Sequence, residues 1–164
     1  MKILYEDKYL IAVEKPDKML TIATSKEKEK TLYHEVSVYL KKKDKKNKIF
    51  VIHRLDFDTS GIIIFAKDFK TKEIMQKNWS NVKREYLAVV SGIVKKDHDV
   101  IKSYLKETKT LLTYSNYKGN GKLALTEYEV LKRMQDHTLI KINLITGRKN
   151  QIRVHLRDIG NSIV

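Results

Sequence analysis

Apolar and polar positions alternate over two short stretches at the start of the chain, Ile3–Tyr5 and Tyr9–Glu14, broken at Glu6-Asp7-Lys8. The pattern predicts two strands, followed by a turn around the only proline, Pro16. Leu32, Val36, Tyr39 and Leu40 then recur at i, i+4, i+7 and i+8, which predicts an amphipathic helix over 31–40 with Thr31 as its N-cap. Ile49–Ile52 and Ile62–Lys67 read as strands that bracket a polar loop, His53–Gly61. A further helix is expected with Ile74, Met75 and Trp79 as its buried stripe. Lys83–Ser91 alternates as a strand ending at Gly92, and residues 93–122 are poorly patterned apart from a hairpin turn at Gly119-Asn120-Gly121. Leu123–Leu131 and Thr138–Ile145 pair naturally as antiparallel strands, and Gln151–Ile159 has helical spacing with Gly160 as its stop. Strands dominate and the connections are too irregular for a βαβ repeat. The expected fold is therefore α+β, with a mixed, largely antiparallel sheet and flanking helices.

Composition narrows the chemistry. The 164 residues carry 34 Lys and Arg against 20 Asp and Glu, a net charge of +14 that makes a polyanion the first partner to consider. Lys outnumbers Arg 28 to 6, so a position that keeps Arg points to a need for a planar guanidinium; Arg54, Arg84, Arg148 and Arg153 all lie in segments rich in reactive groups. The run Lys41–Lys48, with six Lys and one Asp, reads as a solvated loop, with phosphate contact as the sharper alternative. There is no Cys, which excludes disulfides, thiolate metal sites and cysteine nucleophiles. The longest apolar runs, Tyr9–Val13 and Ile62–Ala66, have five residues against the ~18 a bilayer requires, and the N-terminus has no secretory core region. A cytoplasmic protein with no membrane association is expected.

Three segments carry chemistry. The loop His53–Gly61 holds Asp56 and Asp58, His53 and Arg54, Thr59 and Ser60. On its own it supports a divalent-metal site from His53, Asp56 and Asp58, a nucleophile or general base at Asp56, or a turn whose Asp and Thr satisfy backbone donors. In Lys83–Gly92, Tyr86 shares a strand face with Ala88 and Val90, as a core aromatic or as a ring that stacks on a base. In Thr146–Leu156 a helix opens with Arg148, Lys149, Asn150 and Gln151, a basic N-terminus suited to phosphate.

Together these segments resemble the RluA family of pseudouridine synthases. VIHRLDFDTSGIIIFAK resembles the family's catalytic motif, REYLAVVSG and TGRKNQIRVHL match its next motifs in order, ILYEDKYLIAVEKP resembles its first motif, and GKLALTEYEVL its penultimate strand. The resemblance covers nearly the whole chain. It departs at Lys18, where a glycine is usual after Lys-Pro, and at Asn150, where His is common. It also implies that residues 1–164 form a single catalytic domain that lacks the family's C-terminal segment and carries no S4-like domain, so that a partly uncovered surface is expected near Ile163-Val164.

The implied activity is isomerisation of uridine in structured RNA, rRNA or tRNA, without cofactor or metal, by a protein expected to be monomeric. By the same resemblance Asp56 is the catalytic carboxylate, Tyr86 packs on the uracil and assists proton removal at C5, and Arg153 pairs with Asp56. His53, Arg54, Thr59, Arg148, Lys149, Gln151 and Ile152 are the implied substrate contacts, with Arg54 entering the space left by a flipped base. The alternatives are a non-catalytic RNA-binding domain and, from the loop alone, a metal-dependent nuclease.

Overall fold

A computed structural model describes residues 1–25, 27–110 and 112–164. The chain divides into two compact units, Met1–Trp79 and Ser80–Val164, each built on its own antiparallel sheet. The expected α+β class holds, with the strands distributed over two sheets. Among the described residues no two strands pair in parallel, and the parallel contact that exists is an isolated bridge between Leu20 and Thr31.

The first unit contains β1 (Lys2–Glu6), β2 (Leu10–Lys15), α1 (Leu32–Lys43), β3 (Phe50–Val51), β4 (Gly61–Ala66) and α2 (Phe69–Lys77), with strand order β1-β2-β4-β3. Asp7 makes the β1–β2 turn: its carboxylate accepts the Tyr9 and Leu10 N–H groups at 2.7 and 2.6 Å. On β2 the buried positions are Ile11, Val13 and Lys15, so the two-residue period carries a lysine onto the core face. α1 starts at Thr31, whose hydroxyl accepts the His34 N–H at 3.1 Å, and buries Leu32, Val36 and Leu40. The helix runs to Lys43, so the first three lysines of the 41–48 run are helical rather than part of a loop.

α2 departs from the expected pattern. It buries no residue, and Ile74 is 52% exposed. Gln76 hydrogen-bonds the Val51 and Ile52 carbonyls and the Phe69 ring meets Phe50 of β3 edge-on at 5.9 Å, so one amide and one ring, not the Ile74–Met75–Trp79 stripe, tie the helix to the edge of the sheet. Trp79 lies beyond α2 and is half-buried, its ring stacked on His53 at 4.5 Å.

The second unit contains β5 (Glu85–Ser91), β6 (His98–Glu107), β7 (Thr113–Asn116), β8 (Lys122–Arg133), β9 (His137–Leu144) and α3 (Gln151–Asp158), in the order β5-β9-β8-β6-β7. Its core joins Val90, Val94, Ile101, Tyr128, Ile140, Ile142 and Leu156. β6 and β7 fall in the stretch without a clear apolar pattern. The cause is local: on β6 the buried positions are Ile101, Ser103 and Leu105, and Ser103 sits there because its hydroxyl meets the buried His155 ring of α3 at 2.9 Å. A polar core residue satisfied from another element breaks the alternation on which sequence reading depends. Gly121 follows the turn before β8 with φ +149°, and a Cβ there would lie 2.7 Å from the Leu105 carbonyl oxygen. At the end of the chain Ile163 bridges Val90 and the Val164 N–H donates to the Val89 carbonyl, so Ser162–Val164 line the free edge of β5.

Candidate active site

The polar loop of the first unit is held from both sides of Asp56. On one side Leu55 is buried, and Thr21 serves both of its backbone groups: the Thr21 hydroxyl donates to the Leu55 carbonyl at 2.7 Å and accepts the Leu55 N–H at 3.2 Å. On the other side the fully buried Lys15 ammonium donates to the carbonyls of Phe57, Pro16 and Met19 at 3.2, 2.8 and 2.6 Å. Burial pushes the Lys15 pKa below the usual lysine value, against the opposing charges of Asp17, Asp56 and Asp58. The Asp56 carbonyl accepts the Thr59 N–H at 3.1 Å, closing a turn that leads to Gly61 at φ +137°. Asp56 itself is half-buried and Thr59 is half-buried beside it, while Arg54 and Asp58 are exposed. His53 accepts the Ile64 N–H on Nε2 at 3.0 Å and stacks on Trp79, so one ring nitrogen and one ring face are used within the unit. Among the described residues no three His, Asp or Glu side chains converge in a way that could hold a metal ion, which leaves the reading of His53, Asp56 and Asp58 as a metal triad without geometric support.

The second unit carries the remaining candidates. Tyr86 lies on β5 opposite Ile142 of β9, half-buried and packed against the apolar core. Ile152, on the first turn of α3, packs against the same cluster. Arg153 follows it, half-buried. The entry to α3 is set by Asn150, whose backbone is left-handed at φ 53° and which makes no side-chain cap bond. Gln151 instead fastens the segment that leads into the helix. It is buried, its carbonyl oxygen accepts from the Thr146 hydroxyl and the Arg148 N–H, and its amide donates to the Leu125 carbonyl and the Thr126 hydroxyl. Gln151 therefore holds the motif together from inside rather than facing outward. The Arg148 Nε donates to the Leu123 carbonyl at 3.0 Å and Lys149 pairs with Glu107 at 2.5 Å, both at exposed positions. Arg84, also singled out for its guanidinium, spends it on the Leu144 and Ile145 carbonyls at the end of β9.

Comparison with known proteins bears on all of these residues at once, because the model of one family, described as RNA pseudouridylate synthase, matches residues 9–158. The chain belongs to the RNA pseudouridylate synthase family. A Bacillus subtilis protein named as an uncharacterised RNA pseudouridine synthase is 33% identical over 98% of this chain and 54% of its own length. The ribosomal large subunit pseudouridine synthase D of Nitrosomonas europaea is 33% identical over 99% of this chain and 48% of its own length. The dual-specificity RNA pseudouridine synthase RluA of Vibrio cholerae is 29% identical over 99% of this chain. The chain thus spans about half the length of the first two of these relatives. The solved human RNA pseudouridylate synthase domain containing 4 superposes with a TM-score of 0.83 at 22% identity, over 99% of this chain and 66% of that one, and shows the same fold.

In this member of the RNA pseudouridylate synthase family, sequence reading picked out the loop around Asp56 but missed the two residues that hold it, Lys15 and Thr21. For Lys15 the sequence carries a signal: Ile11, Val13 and Lys15 continue one alternation, and β2 extends one residue past the expected end at Glu14. For Thr21 no local pattern existed, since its partner lies 34 residues away.

Proposed function

We propose that the protein converts uridine in structured RNA, rRNA or tRNA, to pseudouridine with Asp56 as the catalytic carboxylate. The observation that carries this reading is the Asp56 turn, clamped at Leu55 by Thr21 and at Phe57 by Lys15, within a family whose members are named as RNA pseudouridine synthases. In the reaction the N1–C1′ bond breaks, the base rotates, a C5–C1′ bond forms, and the C5 proton is lost while N1 gains one. The atoms balance without a co-reactant, so no cofactor is required. A carboxylate suits each available route, whether as nucleophile, as base at the sugar, or as a stabiliser of cationic sugar character. Tyr86, its ring body packed on the core, stacks on the uracil and assists proton removal at C5. Arg153 pairs with Asp56 through a two-pronged guanidinium contact that sets the carboxylate's angle to the ribose. Arg54, exposed beside the turn, enters the space left by the flipped base. Thr59, Arg148, Lys149 and Ile152 contribute to the substrate surface, and His53 and Gln151 support it from behind. The enzyme acts as a cytoplasmic monomer.

Tritium release from RNA carrying 5-tritiated uridine tests this directly. Asp56→Asn should abolish release while RNA binding survives. Arg153→Lys should be impaired, by up to about 100-fold, although it keeps the charge, because an ammonium cannot impose the two-pronged geometry. Near-normal release by Asp56→Asn refutes the assignment, and near-normal release by Arg153→Lys refutes only the geometric role of Arg153.

A further inference from the structure

The lysine run at the end of α1 borders a groove of about 360 Å³ in the first unit, lined by Tyr33, His34, Ser37, Lys41, Asn47 and Lys48 with Ile49 and Phe50. His34, Ser37 and Lys41 recur at i, i+3 and i+7 and so share one stripe of α1, away from the buried positions Leu32, Val36 and Leu40. Asn47 and Lys48 return across the turn after the helix and form the opposite wall.

Lysines without an ion pair occur along the chain among the described residues, Lys102, Lys106 and Lys109 for example, but they are densest here, five within eight residues. Lys2, Lys83, Lys96, Lys141 and Lys149 each meet a carboxylate. In the run, Lys43 pairs with Glu6 at 2.9 Å, while among the described residues Lys41, Lys42, Lys45, Lys46 and Lys48 have no ion-pair partner. The one carboxylate among them, Asp44, accepts the Lys46 N–H and is turned toward its own backbone. Complementing the helix dipole explains Lys41–Lys43 but not the lysines beyond the helix end. Nor does the helix end need them, since the Leu40 carbonyl already receives the Asp44 N–H and the Asn47 amide.

We propose that this groove and the turn beside it form a phosphate track that holds the RNA backbone, with Lys41 and Lys48 in the groove and Lys45 in the adjoining turn as its principal cations. A row of ammoniums beside hydroxyl, imidazole and amide groups matches a phosphodiester backbone, which offers regularly spaced anions and sugar hydroxyls but needs no base-specific contact. That the polyanion is RNA rests on the function proposed above.

The full chain carrying Lys41→Gln, Lys45→Gln and Lys48→Gln is titrated against a fluorescein-labelled, uridine-containing stem-loop RNA from 50 to 300 mM KCl. The control carries Lys2→Gln, Lys83→Gln and Lys96→Gln, three lysines already paired with carboxylates. Each lost phosphate contact should flatten the plot of log Kd against log salt by about 0.7 and cost about 5-fold near 0.1 M salt, so the triple variant should lose about 2 in slope and roughly 100-fold in affinity. The control should keep the wild-type slope, and Lys41→Arg with Lys45→Arg and Lys48→Arg should restore it. An unchanged slope in the triple variant, or an equal loss in the control, overturns the track and returns the charge to diffuse attraction. Tritium release by the wild type is read in parallel. Release without a slope change refutes the track alone, whereas a slope change without release keeps the track and refutes the isomerase reading.

Discussion

Replacing Lys15 by Met removes an ammonium from the core face of β2 while keeping a side chain of similar length. Three carbonyls, those of Pro16, Met19 and Phe57, then lose their donor at 2.8, 2.6 and 3.2 Å. These are part-buried bonds, and a carbonyl that can turn partly to water costs at the low end of about 1–3 kcal/mol when it loses its partner. Against that, the variant no longer keeps a charge out of water, the same desolvation that depresses the Lys15 pKa. The balance should be a destabilisation of roughly 2–4 kcal/mol, set by the gap between these opposing effects. For a chain of this size that lowers Tm by about 4–16 °C, taking about 2–4 °C per kcal/mol. Because Phe57 follows Asp56 directly, the turn should also lose definition, and tritium release at saturating RNA should fall about 10- to 100-fold at a temperature where the variant is folded. Lys15→Arg separates charge from shape: it keeps the cation but overfills the site, at about 1–3 kcal/mol. Thermal melts by circular dichroism and the release assay check both. A Lys15→Met protein that melts within about a degree of wild type and turns over normally would refute the clamp and the role of β2 in holding the turn.

Thr21→Val, which keeps the shape but not the hydroxyl, should leave both backbone groups of the buried Leu55 unpaired and cost about 2 kcal/mol in urea unfolding, with reduced tritium release; Thr21→Ser should restore both. His155 supplies a pH signature of the second unit. Burial holds its pKa below the ordinary value of 6.5, opposed by Asp158, while Thr126 and Ser103 hydroxyls meet its two ring nitrogens at 2.9 Å. The unfolded chain therefore binds a proton that the folded one refuses. Stability should be independent of this group above pH ~6.5 and fall as pH drops below it, by at most about 1.4 kcal/mol per pH unit, until the folded pKa is passed. His155→Gln should flatten that segment of the pH-stability curve between about 6.5 and 5, and an unchanged slope in the variant would show that another group is responsible.

What could be read from the sequence follows the rule that a pattern is visible only where each element's core face is filled by apolar side chains. β2, α1, β8 and β9 come close to that condition, with Lys15, Thr126 and Thr138 as polar exceptions, β1 alternates although it buries no residue, and Thr31 and Gly160 mark helix ends where the structure has them. β7 does not, because its one buried position is Thr113, and on β6 Ser103 takes the central buried position between Ile101 and Leu105. The stripe expected on α2 is not its attachment: Ile74 faces outward, and Gln76 with the Phe69 ring holds the helix to the sheet edge. At the site, side chains with obvious chemistry stand out in the sequence, whereas Lys15 and Thr21, which act through position, do not. Gln151 was read as a substrate contact because an amide beside Arg148 and Lys149 invites that reading, yet its four hydrogen bonds all close within the second unit.

The way the loop is fastened also bears on why a buried lysine serves better than a direct partner for Asp56. A carboxylate can accept about four hydrogen bonds, and each one given to the protein is unavailable to the ribose or to a guanidinium. Within the first unit the clamps reach Leu55 and Phe57 through backbone carbonyls and one N–H, and among the described residues of that unit no hydrogen bond engages the Asp56 carboxylate. The backbone around the reactive group is fixed while its oxygens stay uncommitted. The Lys15 charge acts at longer range, since Asp17, Asp56 and Asp58 all favour its ammonium form. The cost of burying that ammonium is carried by the fold of β2 and the Pro16–Met19 turn. Strand register, not local loop composition, thus sets where the carboxylate stands.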